Sequence, residues 1–153
     1  LPGSFGIPRG GIKLLAIKRL TTNDISWFSP KSNSHQSGIN LPLKSFKHIF
    51  RDIYDDSSDN APRLDVTVNW YTSDGSLIDS SNSQIIKYHS KNELRLVAIP
   101  KRSISHHVDI ESHLLFRRDG STIDITIFSE DCEHLIRQLG HEVLLQRLPP
   151  KSS

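Results

Sequence analysis

The chain has one cysteine, Cys132, and no methionine. A lone cysteine excludes an internal disulfide and a zinc site built from cysteines. No run approaches the ~18 apolar residues of a membrane-spanning helix, and no stretch has the layout of a secretory signal. A phosphate-binding loop is also missing: Gly6 to Gly11 (GIPRGG) lacks the Lys-Ser/Thr ending and follows no strand-like segment. There is no internal repeat and no extended low-complexity tract. The start at Leu1 in a chain without methionine points to a piece of a longer protein. Its 153 residues suffice for one domain with a real core. Residues 1–11, rich in Gly and Pro, read as a linker, 12–148 as the domain and 149–153 as a tail.

What the chain does have is a long polar excursion, Lys18 to Pro42 (KRLTTNDISWFSPKSNSHQSGINLP), between two short apolar segments. Connections beyond ~12–15 residues without regular structure are usually functional or disordered. Charge is segregated behind a net +2. Lys87, Lys91, Arg95, Lys101 and Arg102 stand against Glu93, whereas Asp52, Asp55, Asp56, Asp59 and Asp65 stand against Arg63. A basic segment attracts a polyanion and an acidic one repels it.

Period-two alternation predicts strands at Leu64–Tyr71 and Thr122–Phe128, with Leu64, Val66, Val68 and Trp70, and Ile123, Ile125 and Ile127, facing inward. Shorter strands are expected at Ile12–Leu20, Gly38–Pro42, Gln84–Tyr88, Glu93–Ile99, His113–Arg117 and Val143–Leu145. Leu77 and Ile78 form a short apolar piece broken by the polar stretch Asp79–Ser83. Asp119-Gly120 is the strongest hairpin signal. Leu43, Phe46, Ile49, Phe50 and Ile53 define one face of a helix over Leu43–Ile53 with Pro42 at its start. A second helix follows Ser129 and ends at Gly140. Strands without regular β-α alternation point to a mostly β, α+β domain rather than a doubly wound parallel sheet.

Three stretches carry a family resemblance. IKRLTTND, then HQSGINLP with the amphipathic LKSFKHIF, resembles the start of the DNA-recognition domain of EcoRII-like restriction endonucleases. YHSKNELRLV resembles that domain's second arm, and STIDITIF with the helix after it resembles its end. The resemblance covers about Ile12 to Val143. It implies a seven-stranded DNA-binding pseudobarrel with two short flanking helices, shared with the plant B-three domain and with BfiI-like restriction enzymes. It further implies two arms, about 18–40 and 87–102, that enter the major groove of double-stranded DNA at a short specific site. No cofactor is implied. A nuclease domain, N-terminal in the parent chain, is the implied partner, and a prokaryotic cytoplasm the implied setting.

Carried over by position, the first arm offers Lys18, Arg19, Asn23, Asp24, His35, Gln36 and Asn40, with Trp27 and Lys31 between. The second offers Lys87, Tyr88, Ser90, Lys91, Asn92, Glu93 and Arg95. Leu94 departs from the pattern, which expects a polar or basic residue there. These residue types match base-edge chemistry, since Arg or Lys reads guanine, Asn or Gln adenine, and Asp or Glu the cytosine amino group. Lys31, Lys87, Lys101 and Arg102 fit phosphate contacts. Glu93 and Asp24 fit either as cytosine readers, as orienters of a neighbouring Arg, or as plain surface charges. Trp27 packs on DNA sugar, braces the arm or joins the core. His35 donates to phosphate or base, or bonds its own backbone.

Catalytic patterns are incomplete. His89-Ser90-Lys91 is the first half of a phospholipase D-like His-x-Lys motif without the aspartate that should follow. Asp65, Glu93 and Arg95 imitate a metal-dependent nuclease centre without its lysine. His106, His107 and His113 are surface histidines by spacing. The chain itself is therefore expected to bind rather than cleave. A complete metal-dependent nuclease and a protein-interaction domain on the same scaffold remain the other two classes.

Overall fold

The computed structural model describes residues 14–28, 38–54, 61–88, 92–109 and 112–128. The expected linker, closing helix, last strand and tail lie outside the described residues. The elements are β1 (Leu14–Arg19), α1 (Thr22–Phe28), β2 (Ile39–Leu41), α2 (Leu43–Phe46), α3 (Arg51–Tyr54), β3 (Arg63–Thr72), β4 (Leu77–Tyr88), β5 (Glu93–Val97), α4 (Lys101–Ile104), β6 (His113–Asp119) and β7 (Thr122–Phe128). The strands form one seven-stranded sheet in the order β1-β6-β7-β3-β4-β5-β2. All neighbours pair antiparallel except β3 and β7. The sheet curls into a nearly closed, barrel-like body. No helix among the described residues is long and apolar enough to cross a membrane.

Inward alternation builds the core. Val66, Val68 and Trp70 of β3 and Ile123, Ile125 and Ile127 of β7 are all buried, as their period predicts. Among the described residues the sheet ends in two edge strands, β1 and β2, that do not pair with each other. Phe46, Ile49, Phe50 and Ile53 of the α2–α3 segment are buried in the same core. Phe46 meets Phe116 of β6 edge-on at 4.9 Å between ring centroids. The ring of His48 bonds the carbonyl of Leu15 through Nε2 at 2.9 Å, occupying an acceptor of the β1 edge.

Three expectations need correction. The single helix over Leu43–Ile53 is two short helices separated by a turn at 47–50. The apolar positions survive the break because both turns press the same side onto the core. The polar stretch Asp79–Ser83 does not interrupt a strand: β4 runs unbroken from Leu77 to Tyr88. Its serines serve the interior, with Ser81 Oγ accepting from Trp70 Nε1 at 3.1 Å and Ser83 Oγ donating to the Ala98 carbonyl at 2.9 Å. A buried indole N–H needs an acceptor, and serine supplies one in little volume. Finally, residues 101–104, for which the sequence patterns predict no strand or helix, form α4, seated by buried Ile104 and by Ser103 Oγ donating to Asp79 Oδ2 at 2.7 Å.

Arg118, near the end of β6, fastens the α2–α3 segment. It makes a bidentate pair with Asp52 at 2.9 and 2.7 Å and donates to the carbonyls of Ile49 at 2.6 Å and Gly120 at 2.8 Å. Its guanidinium also lies 5.3 Å from the centroid of Phe50. Hydrogen bonds from Arg118 hold the Asp52 carboxyl below its ordinary value of 3.8, against an opposing effect of burial. A lowered carboxylate pKa adds stability above the unfolded value, and that stability is lost as pH falls through the folded value. Asp52 is 51% exposed, so solvent screening keeps the contribution small. Asp52→Asn is expected to cost about 0.5–1 kcal/mol at neutral pH and nothing once acid has protonated the wild-type carboxyl. Arg118→Ala is expected to cost about 1.5–3 kcal/mol, because it also removes the donor to the part-buried Ile49 carbonyl. Urea unfolding of both variants at neutral and acid pH checks the ordering and the sign.

Candidate nucleic-acid interface

The first arm is more ordered at its root than its polar composition suggests. Residues 22–28, expected as irregular chain, form α1. The cause is a capping box, Thr21-x-x-Asp24. The Thr21 N–H and Oγ1 both donate to Asp24 Oδ2 at 2.9 Å, and the Asp24 N–H donates back to Thr21 Oγ1 at 3.3 Å. The same Asp24 oxygen pairs with Lys18 Nζ at 3.2 Å. Lys18 and Asp24 are only 5% and 2% exposed. Both were expected at DNA; both instead face inward and tie the end of β1 to the start of α1. Arg19 and Asn23 are exposed. Trp27 falls within α1, but its side chain, like Lys31, His35 and Gln36, lies outside the described residues.

The arm returns to the sheet at Gly38. Its φ of +123° suits glycine, and a Cβ there would sit 2.4 Å from the Leu96 carbonyl oxygen. Beyond it, β2 pairs with β5, placing Asn40 opposite Arg95. Ile39, Leu41, Leu94 and Leu96 point into the core and are fully buried. Leu94, the departure from the family pattern, is thus an inward residue of β5. Asn40, Glu93 and Arg95 take the outward positions. Directly opposed side chains on one face have Cβ atoms ~4.5–5.5 Å apart, so Asn40 and Arg95 form one unit.

Arg95 is held in place. Its Nε and Nη2 both donate to Glu93 Oε2, at 3.1 and 3.0 Å, and its guanidinium lies 5.5 Å from the Tyr88 ring centroid. Glu93 is therefore an orienter of the neighbouring arginine in this structure. Engaging one side of the guanidinium in this way leaves the Nη1/Nη2 end as a fork for a second, planar acceptor pair. Lys87, expected at phosphate, is 4% exposed and bonds Asn92 Oδ1 at 2.7 Å. Ser90 and Lys91 lie outside the described residues.

The two arms approach each other through the end of β2. Leu41 pairs with Leu94, so Pro42 follows beside Glu93. Pro42 and Ser45 line a cleft of about 610 Å³ with Arg19, Thr21 and Thr22 from the root of the first arm. A second cleft of about 590 Å³ lies on the outer side of β3 and β4, lined by Asp65, Thr67, Asn82, Gln84 and Ser121. There Gln84 bridges Arg63 and Asp65, at 3.0 and 2.9 Å. Its lining holds one carboxylate, Asp65, and no cation to attract a phosphate chain. Asp65 and Glu93 do not converge: Asp65 aligns through Gln84 with Val97, four positions and ~13 Å of strand from Glu93. Among the described residues no three His, Cys, Asp or Glu side chains group as metal ligands.

Sequence reasoning missed Tyr54. Its ring has Lys87 Nζ at 4.4 Å and Lys47 Nζ at 4.6 Å from its centroid. No periodic signal marks it, because it ends an apolar run and meets β4 only through the fold. Compared with known proteins, the chain matches no family model and none of the curated proteins.

The inward placement of Lys18 and Asp24 has a measurable consequence. Removing one partner of a buried ion pair leaves an uncompensated charge, at a cost of about 3 kcal/mol or more. Asp24→Asn is therefore expected to destabilise the fold by about 3 kcal/mol, whereas Lys18→Met combined with Asp24→Asn should cost less than Asp24→Asn alone. Chemical denaturation of the two single variants and the double variant decides this.

Proposed function

We propose that this chain recognises a short specific sequence in double-stranded DNA, as the recognition domain of a restriction endonuclease does. The single observation that carries the reading is outward Arg95, held by Glu93 and Tyr88 and standing opposite outward Asn40 in the sheet register. An arginine held on one side by a carboxylate keeps a planar fork for guanine O6 and N7, and an asparagine amide matches adenine N6 and N7. The barrel-like sheet and the order of the family-like segments agree with a pseudobarrel of the EcoRII-like and BfiI-like type. On this reading the arms grip the major groove, the domain needs no metal to bind, and cleavage belongs to another part of a longer prokaryotic protein.

Arg19 and Asn23 extend the contact from the first arm, with Lys31, His35 and Gln36 as its further candidates. Tyr88, Ser90, Lys91 and Asn92 do so from the second. Lys101 and Arg102 supply phosphate contacts, which position the duplex without reading it. The buried Lys18, Asp24 and Lys87 act behind the surface.

Selection from a randomised duplex library in EDTA, followed by a salt titration of the enriched sequence, tests the proposal. A short enriched motif bound well above bulk duplex is the expected result. Arg95→Ala should weaken that motif by about 1–3 kcal/mol and relax preference at a guanine position. Asn40→Ala should relax an adjacent position. Absence of enrichment in the wild type, or affinity unchanged in both variants, would discard the reading in favour of a protein-binding domain. Metal-dependent nicking of plasmid by the chain would favour a complete nuclease.

A further inference from the structure

We infer that Lys87 is a positioning residue that latches the second arm to α3. Its effect on DNA binding rests on the function proposed above; the latch itself rests only on the geometry. Lys87 pairs with Leu94 across β4 and β5, on the inward side of the sheet, and is 4% exposed. A buried ammonium cannot reach a phosphate chain outside, and it needs acceptors within. Two are present. Asn92 Oδ1 accepts from Nζ at 2.7 Å, and the Tyr54 ring faces Nζ at 4.4 Å from its centroid.

The two contacts come from different elements. Tyr54 is the last residue of α3, which belongs to the segment closing the barrel. Asn92 stands where the arm turns back into β5 and has φ of +52°, a left-handed conformation that side-chain-bearing residues seldom adopt. The Asn92 side chain that bonds Lys87 is thus attached to the backbone bend itself. The Lys87 N–H donates to the Pro62 carbonyl at 3.0 Å, fixing the strand from which the side chain extends. The ammonium thereby couples the α2–α3 segment to the bend of the arm, while the backbone N–H of the same residue ties β4 to the start of β3. Arg95, two positions beyond Glu93 on the outer face, inherits its placement from that bend.

Amide hydrogen exchange of the full chain, without DNA, tests the latch directly. Lys87→Met should speed exchange at Tyr88, Asn92 and Glu93 about tenfold relative to Val68 and Ile125, as local opening follows the lost charged bond. Asn92→Gly, which keeps the left-handed bend and removes the acceptor, should do the same at Tyr88 and Glu93. Should Lys87→Met fail to fold, Asn92→Gly still decides. Tyr54→Leu should loosen the same amides, and Tyr54→Phe should restore their protection.

In DNA titrations Lys87→Met should weaken the enriched duplex about tenfold while leaving the dependence of log affinity on log salt unchanged, since no phosphate contact is lost. Unchanged arm exchange in both Lys87→Met and Asn92→Gly overturns the inference. So does a salt slope reduced by about 0.9 with exchange unchanged, the signature of a direct phosphate contact. Faster arm exchange in a chain that selects no sequence would keep the latch and remove the DNA reading.

Discussion

A curled sheet whose two end strands, among the described residues, do not pair with each other needs side-chain contacts to hold its core together. Here β1 and β2 are the edges, and the α2–α3 segment packs Phe46, Ile49, Phe50 and Ile53 into the core that the sheet curls around. Fully burying side chains of this size stabilises by roughly 1.5–3 kcal/mol each, so this segment is a main support of the core and not a surface connection. His48 covers an acceptor of the β1 edge, and Arg118 pins the segment through the backbone of Ile49 and the carboxylate of Asp52. An uncovered edge would invite pairing with another chain.

The position of both arms follows from that closure. The first arm connects the two edge strands, so its roots are as far apart in the sheet order as any two strands can be. It is anchored at one root by the Lys18–Asp24 pair and at the other by the close approach of Gly38 to Leu96. The second arm is a β4–β5 connection beside β2, and Lys87 ties its bend to the end of α3. In each arm a buried lysine is committed to an oxygen acceptor of the same arm. Such pairs add little net stability beyond what an apolar substitute would provide, but a charge that must find one partner selects one geometry. A binding edge needs geometry more than it needs extra stability.

The strands with clean alternation, β3 and β7, and the hairpin between β6 and β7 were legible because side-chain period and turn chemistry are local, although the loop falls at Gly120-Ser121, one residue beyond the expected Asp119-Gly120. The outward unit of Asn40 and Arg95 was legible only as separate residue types, since their pairing depends on a contact between distant segments. Other features required tertiary information. The serines of β4 look like a break until Trp70 is seen to need an acceptor. The two-helix form of α2–α3 hides within a single amphipathic pattern, because both arrangements bury the same residues. The capping box at Thr21 and Asp24 was local and readable, and the length of the polar excursion obscured it. Leu94 looks anomalous in a recognition arm until β5 is known to face the core with alternate residues.

Burial changes what the basic arms mean. By composition, Lys18, Arg19, Lys87 and Arg95 look alike, as four cations offered to a polyanion. In the structure two turn inward to named oxygen partners, and only Arg19 and Arg95 take outward positions. Phosphate attraction is sequence-independent and scales with the cations that reach the duplex. Taking two cations out of that set shifts the balance toward groups that read base edges. Glu93 fits the same logic. On the proposed reading, the Glu93 carboxylate opposes phosphate binding, yet it fixes the arginine beside it, so weaker general attraction is exchanged for a defined hydrogen-bonding fork. If the proposed function holds, a surface arranged in this way is better suited to distinguishing one sequence from another than to holding DNA of any sequence.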